Sequence, residues 1–282
     1  MTPDLLSLVI TLRNPQAASM AYDQGRALAG QFLAWVQNID PILSESLHDP
    51  KNLPRPYTIS NLNNLPHSKG GLVFLPANSE IWFRITSLLP KLSLFIVNRL
   101  LPQLPETMQI GDAVFSLKSV TWEVKDHPWA GWVKFDQLIE NDLLGSASKR
   151  LRFEFASPTA FHSHGLHIPY ILPELAINSW LRSWNAYAPV TFPGSLREVI
   201  NESVAVSYYK MQTAPVRFGK ATFVGGIGKC TFNIIDQDPY WRHVINVLSA
   251  FAFYSGTGVK TALGMGQTRR LGDSYYRGLR TR

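Results

Sequence analysis

The chain has 282 residues, 45% of them hydrophobic, enough for one large domain or two of ordinary size with real cores. Its formal net charge of +7 is uneven: residues 1–50 hold five acids and two bases, so the remainder carries +10, which favours a polyanionic partner bound by the later parts of the chain. Cys230 is the single cysteine, which excludes an internal disulfide and suits a reducing compartment.

Leu6, Leu8, Ile10 and Leu12 alternate with Ser7, Val9 and Thr11, and predict a half-buried strand. From Pro15 to Gln37 the apolar spacing becomes helical, with Leu28, Phe32 and Trp35/Val36 on one stripe. Strand-like runs follow at Gly71–Leu75 and Ile81–Leu88, then a helix near Leu89–Leu101, then a strand in which Val120, Trp122 and Val124 share a face. The order β-α-β-β-α-β is the ferredoxin-like, or RNA-recognition-motif, plan. A second block opens near Lys149 with Leu151, Phe153 and Phe155 alternating with Arg152 and Glu154. Helices are expected over Glu174–Tyr187 and about Tyr240–Tyr254, with strands at Val204–Lys210, on both sides of Gly225-Gly226, and after a glycine loop. The fold class expected is α+β, two tandem ferredoxin-like domains at 1–143 and 144–282. The longest nearly apolar run, Val244–Tyr254, is too short to span a bilayer. Asp4 without a basic segment argues against a signal peptide, so a cytoplasmic location is expected.

Ser255 to Gln267 carries four glycines within eleven residues, with Lys260, Thr257 and Thr261 among them. Glycine permits positive φ and close backbone approach, which suits contact with a phosphate chain through N–H groups. Val259 separates Gly258 from Lys260, so this is no Walker loop, and no dinucleotide fingerprint is present. A plain surface turn is the alternative. His162-Ser163-His164-Gly165-Leu166-His167 has a spacing that could hold a metal, but lacks nearby cysteine and has few carboxylates; loop histidines are the preferred reading. His67 sits beside Lys69-Gly70-Gly71, and His127 and His243 are assigned to structure or surface. Trp129 and Trp132 flank Ala130-Gly131 as possible exposed stacking groups, whereas Trp180 and Trp184, four apart on a predicted helix, belong to a core.

At Gly256–Gln267 the chain resembles the CRISPR-associated endoribonucleases that cut precursor CRISPR RNA within its repeats, the Cas six family of the repeat-associated mysterious protein superfamily. Phe155–Phe161 resembles the first strand of that family's second domain, and Phe223–Phe232 its glycine hairpin. Leu47-His48, followed by Pro56–Ser60, is similar to the region carrying its catalytic histidine. The resemblance implies tandem ferredoxin-like domains and one metal-independent cut without a cofactor, in which a ribose 2′-OH attacks the adjacent phosphate and leaves a 2′,3′-cyclic phosphate and a 5′-OH. It implies His48 as general acid or base, with Lys51 and Arg55 as the nearest cations. Family members place a tyrosine on the first helix where Leu33 stands here, which leaves Tyr57 or Ser60 as substitutes. RNA contacts would fall on Gly256, Gly258, Lys260, Thr261, Gly264, Gly266, Gln267, Arg269 and Arg270, with Arg277, Arg280 and Arg282 beyond and Lys149, Arg150 and Arg152 as a second cluster. The partners implied are CRISPR repeat RNA and effector-complex proteins, with no membrane, for a monomer or homodimer. A non-cleaving guide-RNA-binding subunit is the alternative reading, and a metal-dependent hydrolase a more distant one.

Overall fold

The structure, a computed structural model, describes residues 3–48, 53–143, 147–163, 165–235 and 238–272. The chain divides into two units: residues 1–132 with 262–264, and residues 133–261 with 265–282. The boundary falls at Trp132/Val133, ahead of the expected 143/144, because the helix Phe135–Leu143 packs inside the second unit.

Unit 1 begins with strand β1 (Leu5–Arg13), whose Leu6, Leu8, Ile10 and Leu12 enter a common core. The stretch expected to start a helix instead forms β2 (Ala18–Ala21), and the helix α1 runs over Gly25–Ile39. Asn61 explains the delay: its Oδ1 accepts from the Gln24 N–H at 2.7 Å while its side-chain amide donates to the Tyr22 carbonyl. That clip fixes the turn ahead of α1. A short helix α2 (Pro41–His48), β3 (Tyr57–Ile59), β4 (Leu72–Leu75) and β5 (Glu80–Ser87) follow. Next come α3 (Pro90–Phe95), continued by a wider turn at Ile96–Leu100, and the hairpin β6 (Thr107–Ile110) and β7 (Ala113–Thr121). The sheet runs β3-β5-β1-β7-β6, and β8 (Gly131–Val133) also pairs with β1. Antiparallel neighbours in the order β3-β5-β1-β7, with α1 and α3 as crossovers, are the ferredoxin-like plan. Leu28, Phe32 and Val36 of α1 meet Phe83 and Ile85 of β5 in the core.

The other face of this sheet is closed by the chain itself. Trp129, read from the sequence as a possible exposed stacking group, is buried with its ring 4.9 Å from the guanidinium of buried Arg84. The Ser7 hydroxyl donates to the Trp129 carbonyl at 2.6 Å, and His127 sits edge-on against Trp82. The strand expected around Val120–Val124 therefore ends at Thr121.

Unit 2 opens with α4 (Phe135–Leu143), whose Phe135 meets Trp184 and Phe251. Strand β9 (Arg150–Thr159) leads to a small hairpin, β10 (Phe161–Ser163) and β11 (Leu166–Ile168), then α5 (Pro173–Tyr187) and α6 (Leu196–Ser203). Two long strands, β12 (Val204–Phe218) and β13 (Ala221–Ile234), form one hairpin, followed by α7 (Pro239–Ser255) and β14 (Thr268–Arg270). The sheet order β12-β13-β9-β14 repeats the plan of unit 1. Gly225 and Gly226 interrupt no strand. A Cβ at Gly225 would stand 2.6 Å from the Thr159 backbone nitrogen, so glycine here permits β13 to pass close to β9.

Two glycines give opposite expectations. Gly258 has φ +80, and a Cβ there would lie 2.2 Å from the Ala160 carbonyl oxygen; Gly30, inside α1, has open space around it. Gly258→Ala should cost at least about 2 kcal/mol, whereas Gly30→Ala should stabilise by about 0.5–1 kcal/mol. Urea denaturation of the two variants reads both signs on one protein.

Candidate functional site

His48 is the last residue of α2 and is exposed. Its position is set from the other end of the helix. Asp40 caps α2 through Oδ1, which accepts from the Leu43 N–H at 3.0 Å, while its Oδ2 takes a 3.0 Å ion pair from Arg99. Arg99 also donates to the Ile39 carbonyl, so the turn after α3 grips the corner between α1 and α2. Leu43 and Leu47, four apart, turn the apolar side of α2 into the core and leave His48 outward. Lys51 lies outside the described residues.

Arg55 and Tyr57 form a pair: Arg55 Nη1 donates to the Tyr57 hydroxyl at 3.1 Å, with the guanidinium 5.9 Å from the ring centroid. The Tyr57 ring is buried against Phe32, 5.1 Å between centroids. Burial pushes its phenol above the ordinary value, and the Arg55 charge and hydrogen bond offset part of that. Ser60 is buried; its hydroxyl donates to the Asn61 carbonyl and accepts from the Arg84 N–H and Asn63. Neither residue is placed as a second proton-transfer group: Tyr57 is in the core and the Ser60 hydroxyl is fully used. Leu33 offers no alternative chemistry.

The glycine segment differs from the expected N–H cradle. The N–H groups of Gly256, Thr257, Val259, Gly264 and Gly266 donate to the carbonyls of Ala252, Gly266, Ala160, Ile59 and Pro158, and those of Gly258 and Gln267 donate to the Ser179 and Ser157 hydroxyls. The glycines serve close packing: a Cβ at Gly266 would meet the Thr257 carbonyl oxygen at 2.2 Å. Gly264 belongs to unit 1, where it bridges to Ser60 and lies against Gly25. Thr261 packs its methyl toward Gly256 and Gly266.

A buried chain of donors holds the segment. Trp180 Nε1 donates to the Thr257 hydroxyl at 2.8 Å; Thr257 and Thr268 hydroxyls are 2.8 Å apart; Thr268 Oγ1 lies 3.0 Å from the Gly266 carbonyl oxygen. Because the Thr268 proton goes to that carbonyl, Thr257 must donate to Thr268, and every proton has one place.

Lys260 has φ +57, a conformation that costs a non-glycine residue about 1–3 kcal/mol and persists only when its surroundings over-determine it. Its ammonium stands 4.3 Å from the Phe223 ring centroid and 5.5 Å from that of Phe218. Gln267 is buried, and its Nε2 has no protein partner. Arg269 and Arg270 do not extend a surface track: Arg269 Nε pairs with Glu154 at 2.5 Å, and buried Arg270 donates to the Ser249 hydroxyl at 2.9 Å. Lys149 and Arg150 are exposed at the start of β9. Arg277, Arg280 and Arg282 lie outside the described residues, as does His164.

Among the described residues no group of three or more His, Cys, Asp or Glu side chains could hold a metal. His162 and His167 face each other across β10–β11, rings 5.4 Å apart, and His167 also touches Phe223. His67 is exposed, and His127 accepts from the Trp129 N–H at 3.2 Å. No helix among the described residues is long and apolar enough to cross a membrane. The β6–β7 hairpin and α6 escaped the sequence reading. The first left a signal: Met108, Ile110, Ala113 and Phe115 alternate around Gly111-Asp112.

Two family models match this chain: one described as the CRISPR Cas6 N-terminal domain over residues 5–140, and one described as CRISPR-associated endoribonuclease Cas6 over residues 153–268. A Mycobacterium tuberculosis protein named CRISPR-associated endoribonuclease Cas6 is 30% identical over 124 residues, 43% of this chain and 39% of that protein. The match thus spans well under half of that relative's length. A Thermus thermophilus Cas6 solved as a product complex superposes with TM-score 0.79 at 25% identity, covering 95% of this chain and 100% of that one. A second Cas6 product complex gives TM-score 0.74 at 27% identity over 94% and 98% of the two chains.

Removing the cap in Asp40→Ala should cost about 1 kcal/mol in thermal or urea unfolding. The raised Tyr57 phenol also has a sign. The unfolded state loses its proton first, so the stabilisation is complete below the ordinary value of 10.0 and is lost as pH rises through the higher folded value. Tyr57→Phe should flatten that part of the alkaline fall in stability, measured as urea midpoint against pH.

Proposed function

Because this chain belongs to the CRISPR-associated endoribonuclease Cas6 family, we propose that it cuts precursor CRISPR RNA within its repeats to give guide RNAs. The observation that carries this reading is His48, held outward at the end of a capped helix in the unit that matches the family's N-terminal domain. Relatives of this fold have been solved with product and with a substrate mimic.

In the proposed reaction the ribose 2′-OH upstream of the scissile bond attacks the phosphorus. The O2′–P bond forms, the P–O5′ bond breaks, and the products are a 2′,3′-cyclic phosphate and a 5′-OH. One proton leaves the 2′ oxygen and one is delivered to the departing 5′ oxygen. His48 takes one of these roles, since an imidazole's ordinary pKa lies near neutrality and either form is accessible. Arg55 offers charge to the phosphorane: only one of its N–H groups is directed at Tyr57, and the rest of the fork is suited to a phosphate. Lys51 is proposed as a second cation. No metal enters this scheme. Lys149, Arg150 and Lys260 are proposed as phosphate contacts, while Gly256, Gly258, Gly264, Gly266, Thr261 and Gln267 shape the segment that presents Lys260.

The test is single-turnover cleavage of the cognate repeat RNA in EDTA. Wild type should cut once, and His48→Ala should lower the rate by about 100- to 10,000-fold without loss of binding. A substrate with 2′-deoxyribose at the cut site should bind and stay intact. Cleavage by His48→Ala at the wild-type rate removes His48 from the mechanism. Wild type that binds the repeat and never cuts it is a guide-RNA-binding subunit instead.

A further inference from the structure

Unit 2 carries a basic cleft of which the reading above uses only Arg150. The solvent face of its sheet, opposite α5 and α7, is built from alternate residues of four strands. Phe153 points to Trp180 on the helix side, so its neighbours Arg152 and Glu154 take the other face. Register then places Arg152 beside Thr231 and Thr231 beside Tyr208; Glu154 lies beside Lys229, and Lys229 beside Lys210. Arg150, Arg152, Lys229, Tyr208 and Leu271 line an open cleft of about 230 Å³ over Thr231.

Among the described residues the charge of this cleft is uncompensated: Glu154, the acid on the same face, is held by Arg269, and none of their ion pairs engages Arg150, Arg152 or Lys229. Lys210, Arg150, Arg152 and Lys229 are all exposed. Three cations around one concavity repel one another, so an anion in the cleft relieves a standing cost. Arg150 and Arg152 sit two residues apart on β9, about 7 Å along the strand, a spacing suited to successive phosphates of an extended chain. Tyr208 adds what a simple phosphate site would lack: an aromatic ring, 47% exposed, on the wall opposite the arginines. Cations in line with an exposed aromatic on an open sheet are how sheets hold unpaired nucleotides.

We infer that this cleft is a subsite for a single-stranded segment of RNA, with one base stacked on Tyr208 and its flanking phosphates held by Arg150, Arg152 and Lys229. The inference rests on the RNA-processing reading for its ligand, but its test does not depend on the repeat.

The probe is an oligouridine carrying one 4-thiouridine, photocrosslinked to the full chain and mapped by mass spectrometry, in parallel with repeat binding and cleavage. Crosslinking should map to the β12 peptide containing Tyr208. Tyr208→Ala should weaken oligouridine binding about tenfold, with Tyr208→Phe near wild type. Arg150→Gln/Arg152→Gln should lower the slope of log affinity against log salt by about 1.4. Crosslinks that map elsewhere, or variants with unchanged affinity and salt slope, overturn the cleft even if repeat cleavage is normal. An oligouridine crosslinked at Tyr208 in a protein that neither binds nor cuts the repeat overturns the proposed function and leaves the cleft standing.

Discussion

The arrangement of unit 2 depends on how closely its backbone segments approach one another around Thr257. Trp180 of α5 reaches through the Thr257 and Thr268 hydroxyls to the Gly266 carbonyl, and that single chain joins a helix, the glycine segment and the last strand. A net hydrogen bond is worth only about 1 kcal/mol, yet a buried partner left alone costs about 1–3 kcal/mol, so a chain with one proton arrangement is worth more for specificity than for energy. It also explains the glycines. Gly258 and Gly266 are required where carbonyl oxygens stand 2.2 Å from any Cβ, and with the neighbouring N–H groups already engaged there is little left to cradle a phosphate. The segment is a scaffold, and its one polar projection is Lys260, held at positive φ over Phe223. A cation–π contact of about 0.5–1 kcal/mol does not by itself offset that strain. The fixed turn does, and the result is an ammonium in a defined place.

His48 is positioned by the same logic on a smaller scale. An eight-residue helix is too short to be stable alone, so its end is only as fixed as its start. Asp40 supplies that start with one oxygen to the helix N-terminus and the other to Arg99. Arg99 in turn lies on the wide turn after α3, with its guanidinium 5.5 Å from the Phe95 ring centroid. The ion pair is partly exposed and worth little as stability; its value is geometric.

Much of this was legible in the sequence, and the failures have physical causes. Alternation at Leu6–Leu12 and at Leu151–Phe155 located the central strands. Strand β9 does show one face to a core and the other outward, whereas β1, expected to be half-buried, is buried on both faces because Ser7 and Val9 are covered as well. The apolar stripe at Leu28, Phe32 and Val36 located α1, but its start could not be read, since Gln24 is held by Asn61, thirty-seven residues away. The α+β tandem plan followed from element order. Of the site, His48 and Lys260 were visible as residue types in a recognisable context. Arg269 and Arg270 looked like a basic track because sequence does not reveal that one faces Glu154 across a strand pair and the other faces Ser249 on a helix. Trp129 reads from the sequence as a possible exposed group because nothing near it in sequence announces Arg84, forty-five residues earlier, beneath it.

The two copies of one fold have treated the same surface in opposite ways. In unit 1 the sheet face away from the helices buries Ser7, Val9, Arg84 and Thr86. Covering Arg84 takes its charge out of water, which is costly unless the charge is matched; the Trp129 ring over its guanidinium, fixed by the Ser7–Trp129 hydrogen bond, gives it a cation–π partner. In unit 2 the corresponding face has Arg150, Arg152, Lys210 and Lys229 in water, and no segment of the described chain is drawn across them. A closed face needs no net charge, whereas an open basic one keeps its cations hydrated until an anion arrives. The excess of +10 after residue 50 is therefore not a uniform coat. Part of it is neutralised internally, as at Arg269, and part is concentrated on a sheet face that no segment among the described residues crosses.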